Sequence, residues 1–331
     1  MTAERTSASK MLSSHDWFSY LRATMSRTGL AKEEKYGIAV FFAACSRFRP
    51  NPLRLFIREK TKGAANYLMT RVAKFMPPQS VIAVCAKQNQ SWSRFVASPE
   101  RKLIYVPDWT ELSGNAGQVR IEVHGNQLSR VTPVTQEERV VEDTEQVEAR
   151  FACVSAHHLC DWQDRARWLS IYLRKPPASN VNGNSEPNSA DFSIWHEVQD
   201  LLAERAELPI LIPDWAELFV EQACENEMSC KRLPAFLQAW KTMCLIRSFQ
   251  PDHSEEVRRG VLTANFSDLA MTALLVKSVF WEARWFPSPG KIFKQAFRAG
   301  QSWRVVHPLT GKGIKYSHDP EPAPEQWGRI F

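Results

Sequence analysis

The sequence lacks the features that mark membrane-spanning and disulfide-stapled proteins. No apolar run approaches the ~18 residues that a membrane helix needs, and the seven cysteines include no C-x-x-C pair. The odd cysteine count and the absence of a signal-peptide pattern predict a protein of the reducing cytoplasm, without a membrane partner. The polar first residues are expected to be loose at their tip.

Glycine is scarce where a phosphate-binding loop would need it. Leu53–Ile57 predicts a strand and Asn66–Phe75 a helix, and the loop between them holds one glycine, Gly63. A working loop reads G-x-x-x-x-G-K-[ST]: backbone N–H groups wrap phosphate, the lysine meets the outer phosphates and the hydroxyl holds magnesium. Here Arg58 stands at the first glycine, and Ala64–Ala65 replaces the lysine and the hydroxyl. The layout is predicted to be present without its chemistry.

The neighbouring charges do not restore that chemistry. Lys60 lies four residues and Lys62 two residues before the missing lysine, so neither is expected to replace it. The strand predicted over Lys102–Trp109 ends in a single acid, Asp108, where a nucleotide hydrolase holds magnesium with an acidic pair. A lone acid in this place is also a common turn or helix-cap residue, and both interpretations stay open.

A compact group of cysteines and histidines is the one candidate metal motif. Cys153, His157, His158 and Cys160 lie close in sequence, but zinc usually takes two separated ligand pairs and the neighbouring sequence offers no second pair. We therefore predict no metal and interpret the group as core cysteines and loop histidines.

Strands and helices alternate in the first half of the chain, which predicts an α/β fold with a sheet. Further strands are predicted over Val81–Cys85, Ala149–Ser155 and Arg167–Leu173. Gln118–Leu128 predicts a helix or an irregular arm, and Glu137–Glu148 a charged hairpin-like segment with a solvated face.

Composition divides the chain into five parts. We predict an N-terminal helical segment over residues 1–30 and an α/β core over residues 31–175, which includes a helix at Lys32–Phe48. A flexible linker is predicted over residues 176–190. Residues 191–286 predict a helical domain and 287–331 a separate C-terminal domain. The helices predicted after the linker are Ile194–Ala206, Trp215–Asn226, Leu233–Phe249 and Phe266–Trp285.

The C-terminal part is basic. Lys291–Arg298 predicts a helix, and strands over Trp303–Val306 and Ile314–Tyr316 flank a turn, which is the outline of a winged helix. The net charge of +6 suits a nucleic-acid partner. A solvated basic tail is the alternative. The residues expected to contact DNA are Lys291, Lys294, Arg298, Arg304, Lys312 and Lys315.

The order of these segments resembles the helicase-like AAA+ ATPases of bacterial mobile elements, relatives of the minichromosome-maintenance helicases that often accompany primase modules. Lys35–Leu53 is similar to the family's helix before the phosphate loop, and Leu103–Asp108 to its second ATPase strand. Phe151–Ser155 stands at the sensor strand. Asp164–Ile171 resembles the segment that carries an arginine, and Cys230–Arg232 the basic sensor of the lid.

The resemblance implies a parallel AAA+-like sheet with flanking helices, a helical lid, and a winged-helix-like DNA-binding domain whose wing is Gly311–Tyr316. Arg167 would face a neighbour's nucleotide, although it could equally pair a carboxylate. The remnants of a nucleotide site would be Arg58, Lys60, Lys62, Gly63, Arg167 and Arg232.

The expected function is that of a catalytically degenerate DNA-binding subunit, without a cofactor, in a replication, mobile-element or defence complex. Its partners would be DNA and either further copies of itself or an active ATPase. Two alternatives remain. One is an active DNA-dependent ATPase or helicase that uses ATP and magnesium with a non-standard loop. The other is a protein–protein adaptor whose basic tail is incidental.

Overall fold

The structure is a computed structural model. It describes residues 2–61, 63–84, 93, 96–107, 120–124, 126–136, 139–156, 168–173, 189–216, 220, 227–280, 303–306 and 313–316. Its helices are α1 (Thr2–Ser13), α2 (Trp17–Met25), α3 (Glu34–Cys45), α4 (Ala64–Ala73), α5 (Ser189–Glu204), α6 (Glu227–Arg247), α7 (Ser254–Arg259) and α8 (Phe266–Val279).

The strands of the first half form a parallel sheet and an antiparallel one. They are β1 (Arg54–Glu59), β2 (Val81–Ala83), β3 (Lys102–Val106), β4 (Arg120–His124), β5 (Gln127–Gln136), β6 (Arg139–Glu148), β7 (Phe151–Ser155) and β8 (Trp168–Leu173). Shorter strands follow as β9 (Ile210–Leu211), β10 (Leu262–Thr263), β11 (Trp303–Val306) and β12 (Gly313–Tyr316).

Five strands build the central sheet in the order β2-β3-β7-β1-β8, and every pair in it is parallel. The predicted α/β class with a parallel sheet and flanking helices is confirmed. In the doubly wound orders 3-2-1-4-5-6 and 2-1-3-4-5 the first two strands are neighbours. Here β3 and β7 lie between β1 and β2, so the sheet follows neither order.

A three-stranded antiparallel sheet, β4-β5-β6, is inserted between β3 and β7. The prediction of a helix or an irregular arm over Gln118–Leu128 is wrong, because this range contains β4 and the start of β5. Its apolar residues Ile121 and Val123 alternate with polar ones, which is the period of a strand. The charged segment forms β6, which pairs with β5 as a hairpin and exposes Glu142, Asp143 and Glu145.

The chain start is helical rather than loose at its tip. Helix α1 begins at Thr2 and packs against α5. Ala8 and Leu12 lie four residues apart, which puts them on one face, and both are fully buried. Burial of that face accounts for a helix in a segment whose composition favours a loose tip.

Two buried arginines in the segment between α3 and β1 contact α5 and the residues that follow it. The Arg47 guanidinium donates to the Gln199 side chain over 2.6 Å, and Arg49 donates to the carbonyls of Ala206 and Leu208. Burial lowers the pKa of Arg47 to about 10, which leaves the group charged at neutral pH. One continuous hydrophobic core runs from α1 through the sheet to α8.

An ion network joins α6, α7 and α8. Arg247 and Asp268 are almost fully buried and form an ion pair, and Arg247 also contacts Asp252 at 2.7 Å. His253 lies 2.6 Å from a carboxylate oxygen of Glu256 and 3.2 Å from one of Asp268. Burial alone would raise the pKa of Asp268, but Arg247 and His253 hold it below its usual range. Asp268 is therefore a carboxylate between two cations.

Removing the central charge should destabilise the fold strongly. We expect Asp268→Asn to lower the free energy of unfolding by about 3–5 kcal/mol, because it leaves Arg247 charged and buried without its main partner. Urea denaturation measures this change. The matched variant is Asp252→Asn, which removes a more exposed partner of the same arginine and should cost less than about 1 kcal/mol. Equal losses in the two variants would contradict the assignment.

Stability should fall as pH rises above neutrality. Burial favours neutral His253, but its contacts with Asp268 and Glu256 outweigh this and raise its pKa from 6.5 to about 9. The folded state binds this proton more tightly than the unfolded state, so its contribution is complete below pH 6.5 and lost as pH passes about 9. Urea denaturation at a series of pH values should show this decline. In His253→Gln the decline should be much weaker, and an unchanged profile would contradict the assignment.

Candidate functional site

The connection between β1 and α4 is shorter than a phosphate-binding loop. Strand β1 pairs with β8 through Arg58 and Glu59, and α4 begins at Ala64, so only residues 60–63 connect them. The predicted strand, loop and helix are present. However, Arg58 does not stand at a loop position as predicted: it lies within β1, with its guanidinium 5.6 Å from the centre of the Phe56 ring.

Gly63 is the residue that turns the chain into α4. Its φ of +91° lies in the left-handed region, where a residue with a Cβ is strained. A Cβ at this position would meet no atom within 4 Å, so backbone conformation rather than crowding accounts for the glycine. The turn directs the first amides of α4 back toward the end of β1.

A carboxylate of the same chain occupies the N-terminus of α4. One oxygen of Glu59 accepts a hydrogen bond from the Gly63 amide over 3.1 Å, and the other accepts one from the Ala65 amide over 2.6 Å. The first amides of a helix have no partners within the helix and carry its positive dipole end, so they favour an anion. This is the position that a phosphate takes in a nucleotide-binding loop. Here Glu59 stands where the phosphate would be.

Two buried alanines stand where a phosphate-binding loop would carry its lysine and its hydroxyl. Ala64 and Ala65 are each 1% exposed and belong to the hydrophobic core. The Ala64 amide donates to the Thr61 carbonyl over 3.2 Å. A lysine at the first of these positions would have to place its charge next to the core, which is costly.

The other predicted nucleotide-site residues do not gather at this loop. Lys60 is exposed beside it, while Lys62, Asp108 and Arg167 lie outside the described residues. Arg232 donates to the Trp168 carbonyl over 2.6 Å, at the first residue of β8. The loop lies at the other end of β8, about 16 Å away along a six-residue strand. The structure therefore does not bring Arg232 to the loop.

Two of the predicted DNA-contacting residues pair across a hairpin. Strands β11 and β12 are antiparallel, as the sequence predicts, and Arg304 stands directly opposite Lys315. Strand β11 lies next to α8. The remaining residues of that prediction, Lys291, Lys294, Arg298 and Lys312, lie outside the described part of the chain.

The structure describes only part of the cysteine and histidine group that the sequence offered as a metal candidate. Of the sequence cluster, Cys153 is fully buried in β7, and His157, His158 and Cys160 fall outside the described residues. A second group, Cys244, His253 and Asp268, has ligand atoms within 4.8 Å of one another. There, Arg247 and His253 already hold the carboxylate. Burial raises the pKa of the Cys244 thiol well above its usual value, so this donor set does not fit a metal ion.

Glu59 is the functional residue that sequence reasoning missed. Its position at the end of a strand, a few residues before a helix, matches the preference of acidic residues for helix N-termini. In the sequence it stands between two basic residues, Arg58 and Lys60, and resembles a solvated charge.

A scan of the chain against protein-family models returns no match, and a search of curated proteins returns none. Among the described residues, no helix combines the length and the apolar character needed to cross a membrane.

Replacing Glu59 should loosen the start of α4. We expect Glu59→Ala to lower the free energy of unfolding by about 1–2 kcal/mol, because two amides lose a charged acceptor at the helix N-terminus. Glu59→Gln retains an acceptor and should cost less. Urea denaturation measures both, and Lys60→Ala serves as the neighbouring control with little expected change. A Glu59→Ala variant as stable as this control would contradict the role of the carboxylate.

Proposed function

We propose that the protein is a catalytically degenerate AAA+-like subunit that binds DNA and acts in assembly rather than as a motor. The observation that carries this proposal is the Glu59 carboxylate on the amides of Gly63 and Ala65. A phosphoryl-transfer site works by neutralising the charge that develops on phosphate. This loop instead presents a carboxylate, which would repel phosphate.

The strand order supports the AAA+ part of the proposal. The resemblance assigns β1 to the phosphate loop, β3 to the strand that ends in an acid and β7 to the sensor. In the sheet β7 lies between the other two. A sensor strand in this position has its carboxyl end beside those of β1 and β3. The carboxyl ends of parallel strands are also where ligands of α/β sheets bind.

The paired charges of the terminal hairpin support DNA contact. Residues opposite each other in an antiparallel ladder share a face of the hairpin. The register pairs Arg304 with Lys315. A phosphate backbone that lies along this face would meet two basic positions. The role in a replication, mobile-element or defence complex rests on the resemblance to helicase-like ATPases alone.

DNA binding should depend on salt and on the hairpin. Lys312→Glu with Lys315→Glu should weaken the binding of a labelled duplex at least about tenfold. It should also reduce the slope of log affinity against log salt by about 1–2. Fluorescence anisotropy at several salt concentrations measures both. The control pair, Arg258→Glu with Lys277→Glu, makes the same charge change at exposed positions of α7 and α8. If wild-type protein does not bind DNA, the adaptor alternative is favoured.

The wild-type protein should not hydrolyse ATP. We expect no release of phosphate above background with magnesium and DNA present, because the loop amides are occupied by Glu59 and no lysine stands at the loop position. A coupled phosphate-release assay measures the rate. DNA-stimulated hydrolysis that disappears in a Gly63→Val variant would overturn the proposal and establish the active ATPase instead.

A further inference from the structure

A basic pocket of about 450 Å³ lies where α2 meets α3. We call it the α2–α3 pocket. Its lining combines three cations with two hydroxyls and a single acid: Arg22, Lys32, Lys35, Ser19, Ser26 and Glu34. Guanidinium, ammonium and hydroxyl groups donate hydrogen bonds, and phosphate oxygens accept them.

The wall of the pocket is held in place by buried contacts. The Thr28 hydroxyl donates to the Met25 carbonyl over 2.7 Å, and both residues are buried. The Tyr67 hydroxyl of α4 donates to the Gly29 carbonyl over 3.2 Å. The segment between α2 and α3 is thus fixed on both sides, which reduces the entropy lost when its side chains order around a ligand.

Lys32 adopts an unusual backbone conformation in this wall. Its φ is +73°, in the left-handed region that costs a residue with a Cβ about 1–2 kcal/mol. In the described part of the chain, Arg101 is the other residue besides glycine with a positive φ. Residues with a strained backbone cluster at ligand-binding sites, where the position that the strain gives to a side chain outweighs its conformational free-energy cost.

The segment that supplies Lys32 lies beside the start of α4. The Tyr67 hydroxyl, in the first turn of α4, donates to the Gly29 carbonyl in the segment between α2 and α3. Helix α4 follows β1, and the carboxyl ends of parallel strands are where α/β sheets bind their ligands. The positive dipole end of α3 adds to the three cations.

The pocket lining contains more cations than acids. Glu34 lines it beside Arg22, Lys32 and Lys35, and Glu33 lies in the field of Lys35. Burial raises the pKa of Glu33, which reduces its negative charge further as pH falls.

We propose that the α2–α3 pocket binds a phosphate ester, the group carried by a DNA backbone or by a free nucleotide. This site is separate from the terminal hairpin and from the blocked loop. It goes beyond the proposed function, because phosphate binding here does not depend on the hairpin or on the AAA+ assignment.

Charge reversal within the pocket tests the proposal. Lys32→Glu with Lys35→Glu should weaken binding at least about tenfold and lower the salt slope for DNA by about 1–2. Two probes distinguish the source of the phosphate: a labelled single strand of about 20 nucleotides, read by anisotropy, and ATP without magnesium, read by calorimetry. A loss with the strand identifies the DNA backbone, and a loss with ATP alone identifies a nucleotide.

Two further variants separate ligand binding from folding. Lys32→Gly suits the left-handed conformation, so thermal stability should be kept or raised while the affinity falls. Glu34→Gln removes the lining acid and should strengthen binding. Arg258→Glu with Lys277→Glu again makes the same charge change at exposed positions outside the pocket lining.

The proposal is overturned if the pocket variants bind both probes as tightly as the Arg258→Glu, Lys277→Glu control pair. If only the Lys312→Glu, Lys315→Glu protein then loses DNA affinity, the proposed function stands without this pocket. If no variant alters binding of either probe, both the pocket and the hairpin are excluded as phosphate sites.

Discussion

The hydrogen bonds from the Gly63 and Ala65 amides to the Glu59 carboxylate connect the end of β1 to the start of α4. A helix that begins at the carboxyl end of a parallel strand directs unpaired amides and a positive dipole into that edge. An anion is therefore favoured there. Nucleotide-binding proteins leave the position to a phosphate, whereas here it is filled from within the chain.

The internal carboxylate constrains the surrounding positions. Because Glu59 satisfies the amides, neither a lysine nor a magnesium-binding hydroxyl is needed, and Ala64 and Ala65 are buried in the core instead. A nucleotide site at this loop would require removal of the carboxylate and room for a charged side chain. The loop is thus suited to a structural role. The phosphate contacts that we propose lie instead in the terminal hairpin and in the α2–α3 pocket.

The parts of the fold that sequence predicts are those governed by local pattern. Apolar runs predict β1, β7 and β8, and helical spacing predicts α3. The antiparallel insertion is missed because the few apolar residues of Gln118–Leu128 fit more than one period. The order of the strands depends on long-range packing, which a local pattern does not encode. The position of β7 beside β1 is therefore known from the structure and not from the local sequence pattern.

The candidate site shows the same division. Gly63 could be found from the sequence because a turn into a helix favours glycine. Glu59 could not, because an acid flanked by basic residues looks solvated until its partners are known. The predicted place of Arg232 beside the loop differs from the structure for a related reason. Its position in the sequence is typical of a lid residue, but its contact with the Trp168 carbonyl places it at the far end of β8. Lys32 and Arg22 come from different segments, and only the packing of α2 on α3 brings them together.

The most direct test of the internal carboxylate is a nuclear magnetic resonance titration of the wild-type protein with ATP and magnesium, read at the backbone amides of Gly63 and Ala65. The account predicts that neither resonance moves at millimolar nucleotide, because both amides already donate to Glu59. A saturable shift of both resonances, together with loss of the Ala65 response in a Gly63→Val variant, would show that the loop still accepts phosphate and would contradict the account.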